Sequence, residues 1–137
     1  MPPALRLSPA QLEKIIEHAR SCKPEEACGI LAGDFEGNVQ RVFCMENAEH
    51  SSVFYTMDSS EQFRVFDDIR REELEIVAIF HSHPHSPALP SMQDMELAFY
   101  PESVYLIISL MDDMPECHAY SIVEGQSEEV EITVVEE

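Results

Sequence analysis

The chain is short of positive charge. It has 8 lysines and arginines against 27 aspartates and glutamates, a formal net charge of -19, so phosphate backbones and anionic lipid are repelled and nucleic acid is not expected as a partner. Long apolar runs are missing as well. Nothing approaches the roughly 18 residues of a membrane helix, and the opening stretch MPPALRLSPAQLEK lacks the apolar centre of a signal peptide; no membrane partner and a cytoplasmic location are expected. Cys22, Cys28, Cys44 and Cys117 are scattered with no C-x-x-C pair, which argues against a structural thiolate zinc site or a redox motif and leaves reduced thiols as the expectation. The Gly-Lys-Ser/Thr phosphate loop, G-x-S-x-G, H-E-x-x-H and the dinucleotide fingerprint are all absent.

What is present suits one domain over residues 1–137, with 45% apolar residues to supply a core. Ser8, Pro9 and Gln11 give a cap, a first-turn proline and a capping-box partner, and Leu12, Ile15, Ile16 and Ala19 follow at helical spacing, so a helix is expected over 9–22. Pro24 breaks it. Residues 28–32 and 39–45 read as a hairpin, and 53–57 as a further short strand. Ser59 and Gln62 predict the start of a second helix with Phe63, Phe66 and Ile69 on its apolar face. The apolar run 104–110 is expected at the centre of a sheet, and 118–123 with 130–135 as a hairpin around Gly125. Alternating helices and strands with short connections predict an α/β fold, a mixed central sheet with helices packed on its faces.

Chemistry concentrates between Glu75 and Tyr100. Ile76 to Phe80 reads as a buried strand ending in His81, Ser82 and His83. Side chains alternate along a strand, so the two imidazoles share a face while Ser82 points away. Pro84, Pro87 and Pro90 stop the strand, and Ser91 followed by Met92, Gln93 and Asp94 reads as a helix start. Two histidines and a carboxylate are the donor set of a catalytic zinc site, in which three protein ligands leave a fourth position open. Each residue also has a plainer reading. The histidines can bond loop carbonyls, Asp94 suits the first turn of any helix, and Ser91 is an N-cap. His85 extends the run to three histidines, but Pro84 and Pro87 place it at a turn and the rim. Asp112, Asp113 and His118 border a turn and read as solvated, and Cys28 as a packing residue.

The pattern His81-Ser82-His83, seven residues, then Ser91-x-x-Asp94 resembles the JAMM metalloproteases, also called JAB1/MPN+ or Mov34 domains. Upstream, Glu26-Ala27-Cys28-Gly29 is similar to that family's other signature, a glutamate two residues before Cys-Gly at the start of a strand. The resemblance implies an MPN-type, cytidine-deaminase-like core, zinc held by His81, His83 and Asp94, water activated by Glu26 and an oxyanion held by Ser91. Glu25 is the rival for the base. Short prokaryotic-type members fit best, and they imply as substrate the bond after the Gly-Gly tail of a ubiquitin-like or sulfur-carrier protein. A non-catalytic MPN-type interaction module is the alternative; a RadC-type DNA-associated relative sits poorly with the acidic charge.

Overall fold

The structure, a computed structural model, describes residues 3–136. Along the chain its elements are β1 (Leu5–Leu7), α1 (Pro9–Cys22), β2 (Cys28–Gly33), β3 (Val39–Met45), α2 (Ser59–Arg71), β4 (Glu75–His83), α3 (Met92–Glu96), β5 (Val104–Ser109), β6 (Glu116–Val123), β7 (Gln126–Val130) and β8 (Ile132–Val134). Six strands form a mixed sheet in the order β3-β2-β4-β5-β6-β7, and β1 pairs with β8 in a separate parallel ribbon. Within the large sheet β4 and β5 run parallel, while every other neighbouring pair is antiparallel. The run 104–110 thus lies centrally as expected. Among the described residues no helix is long and apolar enough to cross a membrane.

Strand alternation divides the core. Ala78 and Phe80 of β4, with Leu31, Leu106 and Ile108, face α1 through Ile15 and Ala19. Ile79, Ile107, Tyr105 and Ile122 face the opposite way, beside a cluster in which Val65 and Ile69 of α2 meet Cys28, Ile30 and Met45. Completely burying one such large apolar side chain contributes about 1.5–3 kcal/mol. Phe80 sits at the middle, fully buried, opposite Gly29 in the β2–β4 register. A Cβ on Gly29 would lie 2.2 Å from the Phe80 ring and 2.3 Å from the Phe43 carbonyl oxygen. The glycine after Cys28 is therefore demanded by the aromatic ring lying over it.

Several elements differ from expectation. The segment 53–57 is not a strand; only Met57 bridges back to Asn47. The second helix is capped by Asp58, whose side chain accepts from Glu61 N, so Ser59 is its first residue. Of the expected face, Ile69 is buried and Phe66 packs beside it, but Phe63 is 74% exposed and Val65, four residues before Ile69, takes the buried position instead. The expected C-terminal strand is split. Glu124 and Gly125 both have positive φ, 52° and 75°, a two-residue turn whose twist suits a hairpin. Pairing therefore begins at once, Val123 opposite Gln126. β7 carries exposed Gln126 to Glu129, polar residues that blunt a sheet edge and hide the strand from an apolar pattern. Ile132 to Val134 then leave to pair with β1, itself too short to show a period.

Candidate functional site

The site lies where β4 ends. His81 and His83 project from one face and are 1% and 4% exposed. Their Nε2 atoms are 3.1 Å apart. Asp94, at the third helical position of α3, brings Oδ1 to 3.2 Å from His81 Nε2 and Oδ2 to 3.0 Å from His83 Nε2. A capping box aims that carboxylate: Ser91 Oγ accepts from Asp94 N at 3.0 Å, and Ser91 N donates to Asp94 Oδ2 at 2.9 Å. The connection before α3 is braced from the sheet, since Ser109 Oγ donates to Ser86 O and Tyr120 Oη to Ala88 O, at 2.6 and 2.7 Å.

The three residues fit a cation. His83 Nδ1 donates to Pro87 O at 2.8 Å, which puts its proton on Nδ1 and turns the Nε2 lone pair toward the centre, as ligating imidazoles are usually arranged. With one ligand atom taken from each residue, the three lie within 4.8 Å of one another, and the two imidazole Nε2 atoms, 3.1 Å apart, are close to the roughly 3.3 Å between neighbouring donors about 2.0–2.1 Å from a tetrahedral zinc. Among the described residues this is the one group of His, Cys, Asp or Glu side chains gathered closely enough to hold a metal. Protonated imidazoles would instead turn Nε2–H to Asp94, and the electrostatics are those of that form. Burial alone would raise the Asp94 carboxyl, but hydrogen bonds from His81 and His83 hold it well below the usual carboxylate range. Burial lowers His81. It works against charge on His83 too, but the bonds to Asp94 and Pro87 outweigh it and raise that imidazole.

Glu26 approaches from the neighbouring strand. Cys28 pairs with His81; one step earlier, Ala27 N donates to Ser82 Oγ at 2.7 Å and Ser82 N to Ala27 O at 3.0 Å. Continuing that register brings Glu26 opposite His83. Its side chain is buried, and Oε1 has no protein partner. Burial pushes its carboxyl up to about 8, with His83 opposing the shift and Asp94 adding to it; a dication in the triad would draw it back toward the ionised form. Glu25 instead turns outward to His50, 3.0 Å away. His85 is exposed and outside the triad. Asp112 and Asp113 are exposed, His118 pairs with Glu129 at 2.8 Å, and Cys28 is buried with its thiol pushed up to about 12.

Two residues, one against the triad and one against Glu26, were not legible in the sequence. Tyr55 stacks on His81, ring centroids 4.8 Å apart and planes 23° from parallel; its segment carries no periodic signal and reads as an ordinary strand. Asn47, only 4% exposed, lies in a polar stretch with nothing to mark it. Beside the triad a cavity of about 240 Å³ opens, lined by His81 and Asp94 together with Ile79, Tyr55, Tyr105 and Phe66. Phe66, Ile76, Phe99 and Tyr100 also line an open groove that continues from it.

Comparison with known proteins agrees with this geometry. The family described as prokaryotic homologs of the JAB domain matches residues 8–123. The CysO-cysteine peptidase of Mycobacterium tuberculosis is 40% identical over 126 residues, covering 90% of this chain and 86% of that protein. A desampylase of Haloferax volcanii is 35% identical over 111 residues, 77% of this chain and 80% of its own. A protein from Desulfitobacterium hafniense solved in solution superposes with a TM-score of 0.88 at 38% identity, covering 97% of this chain and 94% of the other. Two histidines ending a buried strand, a carboxylate delivered by the next helix and a matching profile over most of the length lead to one conclusion: the chain belongs to the prokaryotic JAB family.

Proposed function

We propose that this chain is a single-domain, cytoplasmic, zinc-dependent peptidase that hydrolyses the peptide or isopeptide bond after the C-terminal Gly-Gly of a ubiquitin-like or sulfur-carrier protein. The observation that carries the reading is the convergence of His81, His83 and Asp94 beside a buried glutamate with an unpartnered oxygen. Zinc held by those three residues would polarise the scissile carbonyl and acidify water. Glu26 takes the proton of the attacking water and delivers it to the leaving amine. Ser91 Oγ spends a lone pair on Asp94 N, which leaves its O–H to donate to the developing oxyanion. The cavity beside the triad and the groove that shares its Phe66, Ile76, Phe99 and Tyr100 offer an apolar surface for an extended tail, and the names of the relatives, a CysO-cysteine peptidase and a desampylase, support the substrate class.

The test is a carrier protein fused through its Gly-Gly end to cysteine or a short peptide. Cleavage is expected with zinc, should stop with chelator and return on adding zinc. Glu26→Gln should bind zinc and keep only a small residual turnover. An uncleaved fusion under zinc-replete conditions counts against the substrate class, and full turnover by Glu26→Gln counts against the base. A non-catalytic interaction module would purify without stoichiometric zinc and leave every fusion intact.

A further inference from the structure

We infer that Asn47 is a positioning residue for this reaction: one buried side-chain amide fixes both the backbone of Glu26 and the segment that lays Tyr55 over His81. The inference rests on the general-base reading of Glu26 given above. Asn47 follows β3 and spends its whole hydrogen-bonding capacity on two pieces of chain. Nδ2 donates to Glu26 O at 3.0 Å and to Phe54 O at 2.9 Å, with Ser51 O at 3.4 Å. Oδ1 accepts from Glu49 N at 3.0 Å and from Thr56 N at 3.3 Å. A primary amide has two donors and two lone pairs, and all four are engaged.

The need for such a group follows from Glu26 itself. Its Oε1 makes no bond to the protein, so the carboxylate is aimed chiefly from behind, through the main chain. There the restraint is complete. Glu26 N donates to Ser51 O at 2.8 Å, Glu26 O accepts from Asn47, and the next residue is tied on both sides to Ser82. Ser82 thus holds the segment to the histidine strand, and Asn47 holds it to the 47–57 loop. The same amide bonds the residues on either side of Tyr55, whose ring stacks on His81. Asparagine is the side chain that does both. Aspartate keeps the shape and the acceptors but presents oxygen to Glu26 O and Phe54 O, two carbonyls that need a donor. Serine is too short to span them.

The measurement is steady-state cleavage of the carrier fusion by zinc-loaded Asn47→Asp and Asn47→Ser, alone and combined with Glu26→Gln and with Ser91→Ala. Misplacing a catalytic group by about 1 Å costs on the order of 100-fold, so kcat is expected to fall by roughly 10- to 100-fold while KM and zinc stoichiometry stay near those of the parent. A loop brace with no catalytic role would not give that split. Because the loss acts through Glu26, the Asn47 change should add little to Glu26→Gln and should multiply with Ser91→Ala. Folded, zinc-loaded variants with parental kcat would overturn the inference, as would losses that multiply with Glu26→Gln, or a failure of both variants to fold, which would make the amide a requirement of the fold instead. If Glu26→Gln itself turns over normally, the general-base reading fails first; if Glu26→Gln is inactive and Asn47→Asp is not, only the role of Asn47 fails.

Discussion

Replacing Gly29 with alanine sets two opposed effects against each other. Where the backbone tolerates it, Gly→Ala stabilises by about 0.4–1 kcal/mol, because the unfolded chain loses freedom. Here the added methyl would stand 2.2 Å from the Phe80 ring and 2.3 Å from the Phe43 carbonyl oxygen. Phe80 is completely buried and cannot swing into solvent, and the carbonyl belongs to β3, which pairs with β2 through this residue. Overfilling a packed interior typically costs 1–3 kcal/mol, occasionally more, and two contacts this close belong at the upper end. The clash therefore wins, with a net loss of about 2 kcal/mol or more, which lowers Tm by roughly 6–8 °C for a chain of this size. Thermal melts in chelator isolate the effect from metal binding. Phe80→Leu removes the ring edge, so the double variant should be less destabilised than the two single losses combined. A Gly29→Ala protein as stable as the parent would refute the reasoning, and strict additivity with Phe80→Leu would show that the ring is not what the methyl meets.

Three further outcomes are expected. Zinc at about 100 times its Kd should stabilise the folded chain by about 2.7 kcal/mol, roughly 9 °C in Tm; calorimetry should show that gain in the parent and in Glu26→Gln and lose it in His81→Ala. Ser91→Ala should lower stability by about 0.5–2 kcal/mol through the lost cap and turnover by roughly 10²- to 10³-fold through the lost donor, leaving measurable residual activity in a fusion-cleavage assay. In chelator, the Glu26 carboxyl is raised from 4.5 to about 8, so between those values the folded state holds more protons than the unfolded one and stability falls as pH rises; urea titrations across that window should show the decline in the parent and a flatter profile in Glu26→Gln.

The convergence of His81, His83 and Asp94 was readable because local rules and a family pattern fell on the same residues, each of which alone has a plainer reading. A period of two put His81 and His83 on one face of β4, and a serine three residues before an acid announced the cap that aims Asp94. Glu26 was preferred to Glu25 because the signature it resembles has its glutamate two residues before the cysteine and because extended chain sends neighbours to opposite sides; the structure has one buried and the other facing His50. Asn47 and Tyr55 escaped because nothing periodic connects them to β4; they reach it only after the 46–57 loop has folded back through side-chain bonds to distant carbonyls. The edges of the sheet were hard to see for a related reason. β7 is built from exposed polar residues, and the short β1–β8 ribbon joins segments from near opposite ends of the described chain, so no window of sequence contains both halves of the pairing.

The one parallel step of the six-stranded sheet, from β4 to β5, obliges the chain to leave the sheet and come back, since no tight turn can join two strands that point the same way. Asp94 travels on that detour. The carboxylate's reach to the two imidazoles therefore depends on how that excursion is anchored, and its anchors are the hydroxyls of Ser109 and Tyr120 on β5 and β6.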